Sequence, residues 1–387
     1  MLLIGILTGL IILVILVAIH ELGHGIVARR NGVVVEEFGI GFPPKAWGKK
    51  LKRSVLGNNV LFSINWLPLG GFVKLQGEYD SASKKGDYGA ATYWQKTKIL
   101  LAGVLMNWVA AIVLFTILAL VGLPKILPNQ FSVPGDTQTT IEPLKVALVE
   151  KDSPAQKAGL KEGDELLLIG DNDVQSPSEL SNATKQLHGQ NINVTYSRNN
   201  QEYTVPVTLR DKNSADKGFL GVRTTQQLSE IRATWSAPIV GVVTTVQLTG
   251  ETFASLGKVV GSLAEGLASR FTPDESARKS GDEALNFATN SVSGPVGILG
   301  VIFPQMQQAG IKPLLLLTAI ISLSLAVMNV LPIPALDGGR WFVMTLFKLL
   351  KRPLTKEREE KIQTVGFMTL LALIVLVTFA DVSKLIQ

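Results

Sequence analysis

The chain has 387 residues, is 47% hydrophobic and only 18% charged, has three histidines and no cysteine, and carries a net charge of +6. With a positive mean hydropathy, this composition is too apolar for an ordinary soluble enzyme and points to a membrane protein. The missing cysteine excludes disulfides, thiolate zinc sites and thiol catalysis; the basic residues cluster beside apolar segments with no nucleic-acid motif among them, so they read as topology signals and not as a nucleic-acid surface.

The first apolar run, Leu2–Ile19, continues as helix towards Arg29 and makes residues 1–30 a transmembrane segment. A cleaved signal peptide would carry basic residues ahead of the run; here Arg29 and Arg30 follow it, so the span is expected to be retained with its N-terminus outside. Near its inner end stand His20-Glu21-Leu22-Gly23-His24. Histidines four residues apart project from one helical face, one turn apart, with the glutamate beside them. This is the H-E-x-x-H arrangement, in which two neutral imidazoles bind Zn²⁺ and the glutamate deprotonates the attacking water. His20 precedes Arg29 by nine residues, which at about 1.5 Å per residue places it roughly 13 Å inside the cytoplasmic edge. Ionisable groups at that depth cost about 2.5–3.5 kcal/mol or more each and usually mark function.

Residues 31–97 are rich in Lys and Arg, as is the shorter loop 341–363, and both should be cytoplasmic. Both termini and the long Pro124–Lys312 region then face outward. The second span, about Ile99–Leu123 within residues 98–123, places Asn107 nine residues after Lys98, at about the depth of His20. Gly103 shares its face and admits a close neighbour. Asn107 either bonds a substrate carbonyl or developing oxyanion, or is polar glue between helices. Residues 223–312 contain a moderately apolar stretch, 237–270, with Gln247, Glu251 and Lys258 spaced through it; this reads as an interfacial amphipathic segment and not as a fifth span. His188, in "QLHGQ", reads as a surface residue. The third span, about Leu314–Leu331 within 313–340, runs into "MNVLPIPALDGGRW" at 328–341. Pro332 and Pro334 end the helix and Gly338 and Gly339 free the backbone at membrane depth, which is tolerated only where it lines a protein site. Asp337 hangs from that break and supplies the third protein ligand that a catalytic zinc needs. A fourth span covers about Thr364–Ala380, within 364–381.

Together, H-E-x-x-H on the first span, G-x-x-x-N on the second and N-x-x-P-x-P-x-L-D-G-G after the third resemble the bacterial site-2 protease family, intramembrane zinc metalloproteases of the regulator-of-sigma type, over nearly the whole chain. The resemblance implies zinc ligands His20, His24 and Asp337, the catalytic base Glu21, and a substrate-binding Asn107. It implies regulated proteolysis of single-span membrane proteins, such as anti-sigma factors and remnant signal peptides, in the cell membrane after a first cut outside. The β-prone runs of residues 34–76 resemble the family's membrane-associated β-hairpin, whose use is physical: a helical substrate must be held extended before water can attack. Ser293-Gly294-Pro295-Val296-Gly297 resembles a further signature whose physical role the sequence leaves open beyond a turn. Residues 146–180, with "GFLGV" at 218–222, resemble a PDZ domain of the bacterial protease type, expected over 140–222, which binds a peptide or filters the substrate's outer portion. The expected architecture is a polytopic α-helical membrane protein of about four spans with an inserted α+β PDZ domain and a membrane-associated hairpin. A metal transporter, or a catalytically inactive PDZ scaffold, are the other readings of intramembrane His, Glu and Asp.

Overall fold

The computed structural model describes residues 2–141, 143–211, 218–224, 229–272, 274–291 and 294–386. The chain forms two units, Met1–Val121 with Trp235–Gln387, and Gly122–Thr234.

Among the described residues of the first unit, five helices are long and apolar enough to cross a membrane: α1 (Leu2–Arg30), α2 (Tyr93–Val121), α5 (Ala237–Ser269), α9 (Ile311–Val330), and Lys356–Ser383 of α11 (Lys356–Ile386). The chain is a polytopic membrane protein with an inserted sheet-bearing domain. The helices approach through small residues, as lipid-facing helices must when apolar burial gives no net drive between them. A Cβ on Gly23 of α1 would stand 2.6 Å from the Ala102 carbonyl of α2, so only glycine permits this crossing. From α9, the Ser322 hydroxyl donates to the carbonyl of Asn107 at 2.8 Å.

Helix α5 covers the stretch expected to lie in the interface, and by length and composition it is a candidate span, the least apolar of the five. Its first half packs along α2, with Gly241 against Thr116 and Ile112 and the Trp108 indole donating to Thr249 at 3.1 Å. Its end turns back through α6 (Glu275–Asn290), where Gly266 meets Gly281 and Leu285. The polar residues spaced along α5 dilute the apolar signal of a 33-residue helix.

Between α1 and α2, β1 (Val35–Leu51) and β2 (Val60–Leu75) bend back on themselves. Glu37–Ile40 pairs with both Gly71–Lys74 and Leu61–Ile64, while Lys45–Leu51 pairs with Val60–Asn65. Residues 71–75 thus form one free edge of the sheet. After α6 come α7 (Pro295–Gly297), a π-helical turn at Ile298–Ile302 and α8 (Phe303–Ala309), packed on Gly5 and Gly9 of α1. Ser293 lies outside the described residues, but the amides of Gly294 and Gly297 both donate to the Asp381 carboxylate, at 3.2 and 2.7 Å. That gives the glycines of the Gly-Pro-Val-Gly stretch a role: they present free N–H groups to an anion at a helix start. Helix α10 (Asp337–Leu349) follows α9 after an irregular stretch, 331–336.

The second unit contains a four-stranded antiparallel sheet, β7-β6-β8-β9, made of β6 (Glu165–Ile169), β7 (Asn172–Asp173), β8 (Asn191–Arg198) and β9 (Gln201–Thr208). Beside it are the β5 (Val146–Val149) and β10 (Val222–Thr224) pair and a small sheet of β3 (Leu123–Pro124), β11 (Ser229–Arg232) and β4 (Gln138–Ile141). Alternation in "NINVTYSR" sends Ile192, Val194 and Tyr196 into a core with Leu144, Leu166 and Ile169. Ser153 caps α3 (Pro154–Lys157), and a Ser176/Glu179 capping box starts α4 (Pro177–Gln186). Asp164, buried just before β6, is held bidentately by Arg198 at 2.6 Å.

Candidate metal centre

His20 and His24 lie on α1 one turn apart, their side chains 9% and 8% exposed. Their Nε2 atoms are 3.2 Å from each other, and Asp337 Oδ2 stands 2.9 Å from the first and 3.2 Å from the second. Asp337 arrives at the first turn of α10 because the chain cannot continue α9 through Pro332 and Pro334. These three residues form a group able to hold a metal ion.

The donor chemistry fits zinc. Tetrahedral zinc with bonds of about 2.0–2.1 Å separates its ligands by roughly 3.3 Å, and the observed separations are 2.9–3.2 Å. His24 Nδ1 is 2.7 Å from the carbonyl of Ile99, which can only accept, so Nδ1 carries the proton and Nε2 turns its lone pair towards the group. His20 Nδ1 faces the Asn107 amide at 3.4 Å, while the buried Asn107 Oδ1 has no hydrogen-bond partner among the described residues. With the amide turned by 180°, Asn107 accepts from His20 Nδ1–H and its NH₂ remains available to another acceptor. Below the rings, Gly103 of α2 leaves the space: a Cβ there would stand 2.7 Å from His20 Nε2 and also strike His24 Nε2.

Glu21, on the same turn of α1, accepts the Val73 amide at 3.0 Å through Oε2. Val73 belongs to the free edge of the hairpin, and this bond shows that its N–H points away from the sheet. Glu21 therefore joins the donor cluster to a strand edge that no further strand pairs with among the described residues. His188 is in the second unit, half exposed and 3.7 Å from Asp211.

The sequence pattern points to His20, Glu21, His24, Asn107 and Asp337, and the structure puts all five within one neighbourhood. Ile99 and Val73, which act through backbone atoms, carry no such pattern, nor does a set of residues on the far side of Asp337. Arg340 donates to Glu359, 3.1 Å away, and to the carbonyl of Glu78, and Gln363 accepts the Ala335 amide at 2.7 Å. The one available signal was polar residues in the first three turns of a helix otherwise apolar.

Comparison with known proteins agrees with this chemistry. Residues 8–373 match the model of peptidase family M50. The chain is 32% identical over 95% of both lengths to a Clostridium perfringens protein whose zinc metalloprotease name is provisional. It is 25% identical to the regulator of sigma-W protease RasP of Bacillus subtilis, over 96% of each chain, and 25% identical to the zinc metalloprotease RasP of Geobacillus kaustophilus, over 95% of each.

Proposed function

Because the chain belongs to peptidase family M50 and is a zinc metalloprotease, we propose that it cleaves single-span membrane proteins within or near the bilayer, with His20, His24 and Asp337 holding zinc and Glu21 as general base. The observation that carries this reading is the convergence of His20 Nε2, His24 Nε2 and Asp337 Oδ2 beside Glu21 on a membrane-length helix. Zinc held by His20, His24 and Asp337 would supply a Lewis acid that makes water easier to deprotonate near neutral pH. Glu21 takes the proton from the attacking water and returns it to the leaving amide nitrogen. Asn107, with Oδ1 steadying His20, keeps its NH₂ for the substrate carbonyl as charge develops there.

The free edge at Gly71–Leu75 supports a second part of the proposal. A transmembrane helix hides its peptide bonds in internal hydrogen bonds, so the scissile segment is held extended by strand addition along this edge. The Val73 amide, now bonded to Glu21, is the group such a strand competes for. Exposed Phe42, Trp47, Ile64 and Trp66 with Lys45, Lys49 and Lys50 suit the hairpin to the membrane surface.

Residues 140–222 act as a PDZ domain outside the membrane. The support is a groove of about 770 Å³ between α4 and β10, lined by Leu180, Thr184, Phe219, Leu220 and Val222, which takes a peptide or restricts access. Four spans, α1, α2, α9 and α11, with α5 packed along α2 and α6 turning back along α5, leave both termini outside. The substrates are of the anti-sigma factor or remnant signal peptide kind; one relative is named a regulator of sigma-W protease.

The test is Glu21→Gln in purified protein. Zinc should stay at one per chain while cleavage of a membrane-spanning peptide in detergent falls by about 10²–10⁴-fold or more. Normal cleavage by that variant would remove Glu21 from the chemistry and sink the proposal.

A further inference from the structure

The turn that carries Asp337 is held from one side by α11. Ala335, two residues earlier, has φ +77, in the left-handed region that alanine rarely enters. Such a conformation persists where neighbours over-determine it. Gln363 Oε1 accepts the Ala335 N–H at 2.7 Å. A Cβ on Gly366 would stand 2.5 Å from the Pro334 carbonyl oxygen, so α11 lies directly against the turn. Glu359, its side chain 5% exposed, pairs with Arg340 at 3.0 Å, and Arg340 is three residues past Asp337 at the start of α10. Spacings of four and three put 359, 363 and 366 on one stripe of α11, and that stripe grips the chain on both sides of Asp337. The other oxygen of Glu359 accepts the Asp80 amide at 2.9 Å, tying in the segment that follows β2.

We propose that Gln363 and Glu359 are positioning residues which set the Asp337 carboxylate opposite His20 and His24, so that α11, which contributes no atom to the donor cluster, governs how tightly zinc is held. The proposal rests on the reading of Asp337 as a zinc ligand. The two imidazoles are fixed together by one helix, whereas the third donor comes from 317 residues away on a separate element. Its placement is the freedom that remains, and outer groups that orient a ligand commonly change metal affinity by about 10–100-fold. A polar cavity of about 360 Å³ lined by Glu78, Asp337, Arg340, Glu359 and Gln363 adjoins the turn. Water can therefore reach donors freed by a substitution, so the variants need not misfold.

The experiment measures zinc affinity by chelator competition, the visible spectrum of the Co²⁺-substituted protein, and thermal unfolding, all in detergent. Gln363→Met keeps length but loses the acceptor, Gln363→Glu keeps an acceptor oxygen, and Glu359→Gln keeps shape but loses charge. Asp337→Ala is the reference for a lost ligand. Glu360→Gln is the control on the same helix, since Glu360 lines the same cavity but its carboxylate accepts from Tyr79 and bonds no group of the turn. Gln363→Met and Glu359→Gln should weaken zinc by about tenfold or more and alter the cobalt spectrum; Gln363→Glu should recover both, and Glu360→Gln should match the parent. If the first two variants bind zinc with parental affinity and an unchanged cobalt spectrum, while Asp337→Ala loses it, the positioning role is overturned. A lowered unfolding temperature with an unchanged spectrum overturns it equally, because that is what a purely structural contact gives. If Asp337→Ala itself retains zinc, the ligand reading fails first.

Discussion

The unit that holds the donor cluster and the unit Gly122–Thr234 are stabilised by different physics. The second is closed by an apolar core in which Leu166, Ile169 and Val194 are fully buried, and its residues are interchangeable within the tolerance of core packing. The first brings together polar atoms from points 75 to 317 residues apart, with glycines between them and exposed Ile11, Ile15, Leu105 and Val109 turned outward as a lipid-facing surface would be. Apolar burial cannot choose one helix packing over another there, because lipid tails are as apolar as leucine. Fit at single atoms must do it, so a change of one donor or one methyl group should matter more in the first unit than in the second.

The largest effect on binding should come from removing a donor. Asp337→Ala leaves two imidazoles, which hold zinc poorly alone, so zinc content of the purified protein should collapse and activity fall with it. That contrasts with Glu21→Gln, where zinc stays and turnover goes. Full occupancy in Asp337→Ala would place the third ligand elsewhere and break the comparison at its strongest point.

Next is Gly103→Ala, which adds a single methyl group. In a helix the change is ordinarily favourable by about 1 kcal/mol, but here the Cβ meets His20 Nε2 at 2.7 Å and presses on His24 as well. The rings are pinned by Asp337 and by the Ile99 carbonyl, so they cannot swing away cheaply. Zinc affinity should drop by tenfold or more with no loss in the unfolding temperature of the zinc-free protein. Equal zinc affinity in this variant and the parent would show that the cluster tolerates what the membrane-facing unit is argued not to.

A whole-module deletion tests the other side. Ile141 and Ser229 are ladder partners of β4 and β11, so joining them by a short turn removes 142–228 without opening the small sheet. No candidate ligand lies in that segment. Zinc content and cleavage of a short membrane-spanning peptide should stay within a few-fold of the parent, while substrates with bulky outer portions, excluded before, should become cleavable. Loss of zinc on deletion would make the module structural and end the filter idea.

Much of this organisation was legible in the sequence for a physical reason. The i, i+4 histidines, the proline-terminated helix before Asp337 and the alternation of "NINVTYSR" are local patterns, and each states its own geometry. Val73, Ile99, Glu359 and Gln363 were not legible because their partners are backbone groups or lie far along the chain, and a backbone N–H carries no residue identity. Gln247, Glu251 and Lys258 thin out the apolar signal of α5 and make its sequence read as interfacial, while its packing on α2 uses Gly241 and Thr249, neither of which stands out in sequence.

The smallest expected effect concerns Asp164, a buried charge of the second unit with a clear partner. Burial alone would lift the Asp164 carboxyl, but the Arg198 guanidinium at 2.6 Å and the Lys161 amide at 2.7 Å outweigh it and hold the group below its ordinary value. A carboxyl depressed in the folded state contributes stability above its unfolded pKa, about 3.9 for aspartate, and loses that contribution as pH falls through the folded value. Asp164→Asn should therefore reduce amide protection of Leu166 and Ile169 at pH 7, while the difference from the parent should shrink steadily below about pH 4. A charge-assisted pair of this kind is worth about 1.5–3 kcal/mol, which corresponds to roughly ten- to hundredfold in hydrogen exchange. Zinc affinity should not change, because Asp164 has no part in the donor cluster. A protection difference that persists unchanged at pH 3 would mean that the aspartate matters for its shape and not its charge, leaving the second unit as dependent on atomic fit as the first.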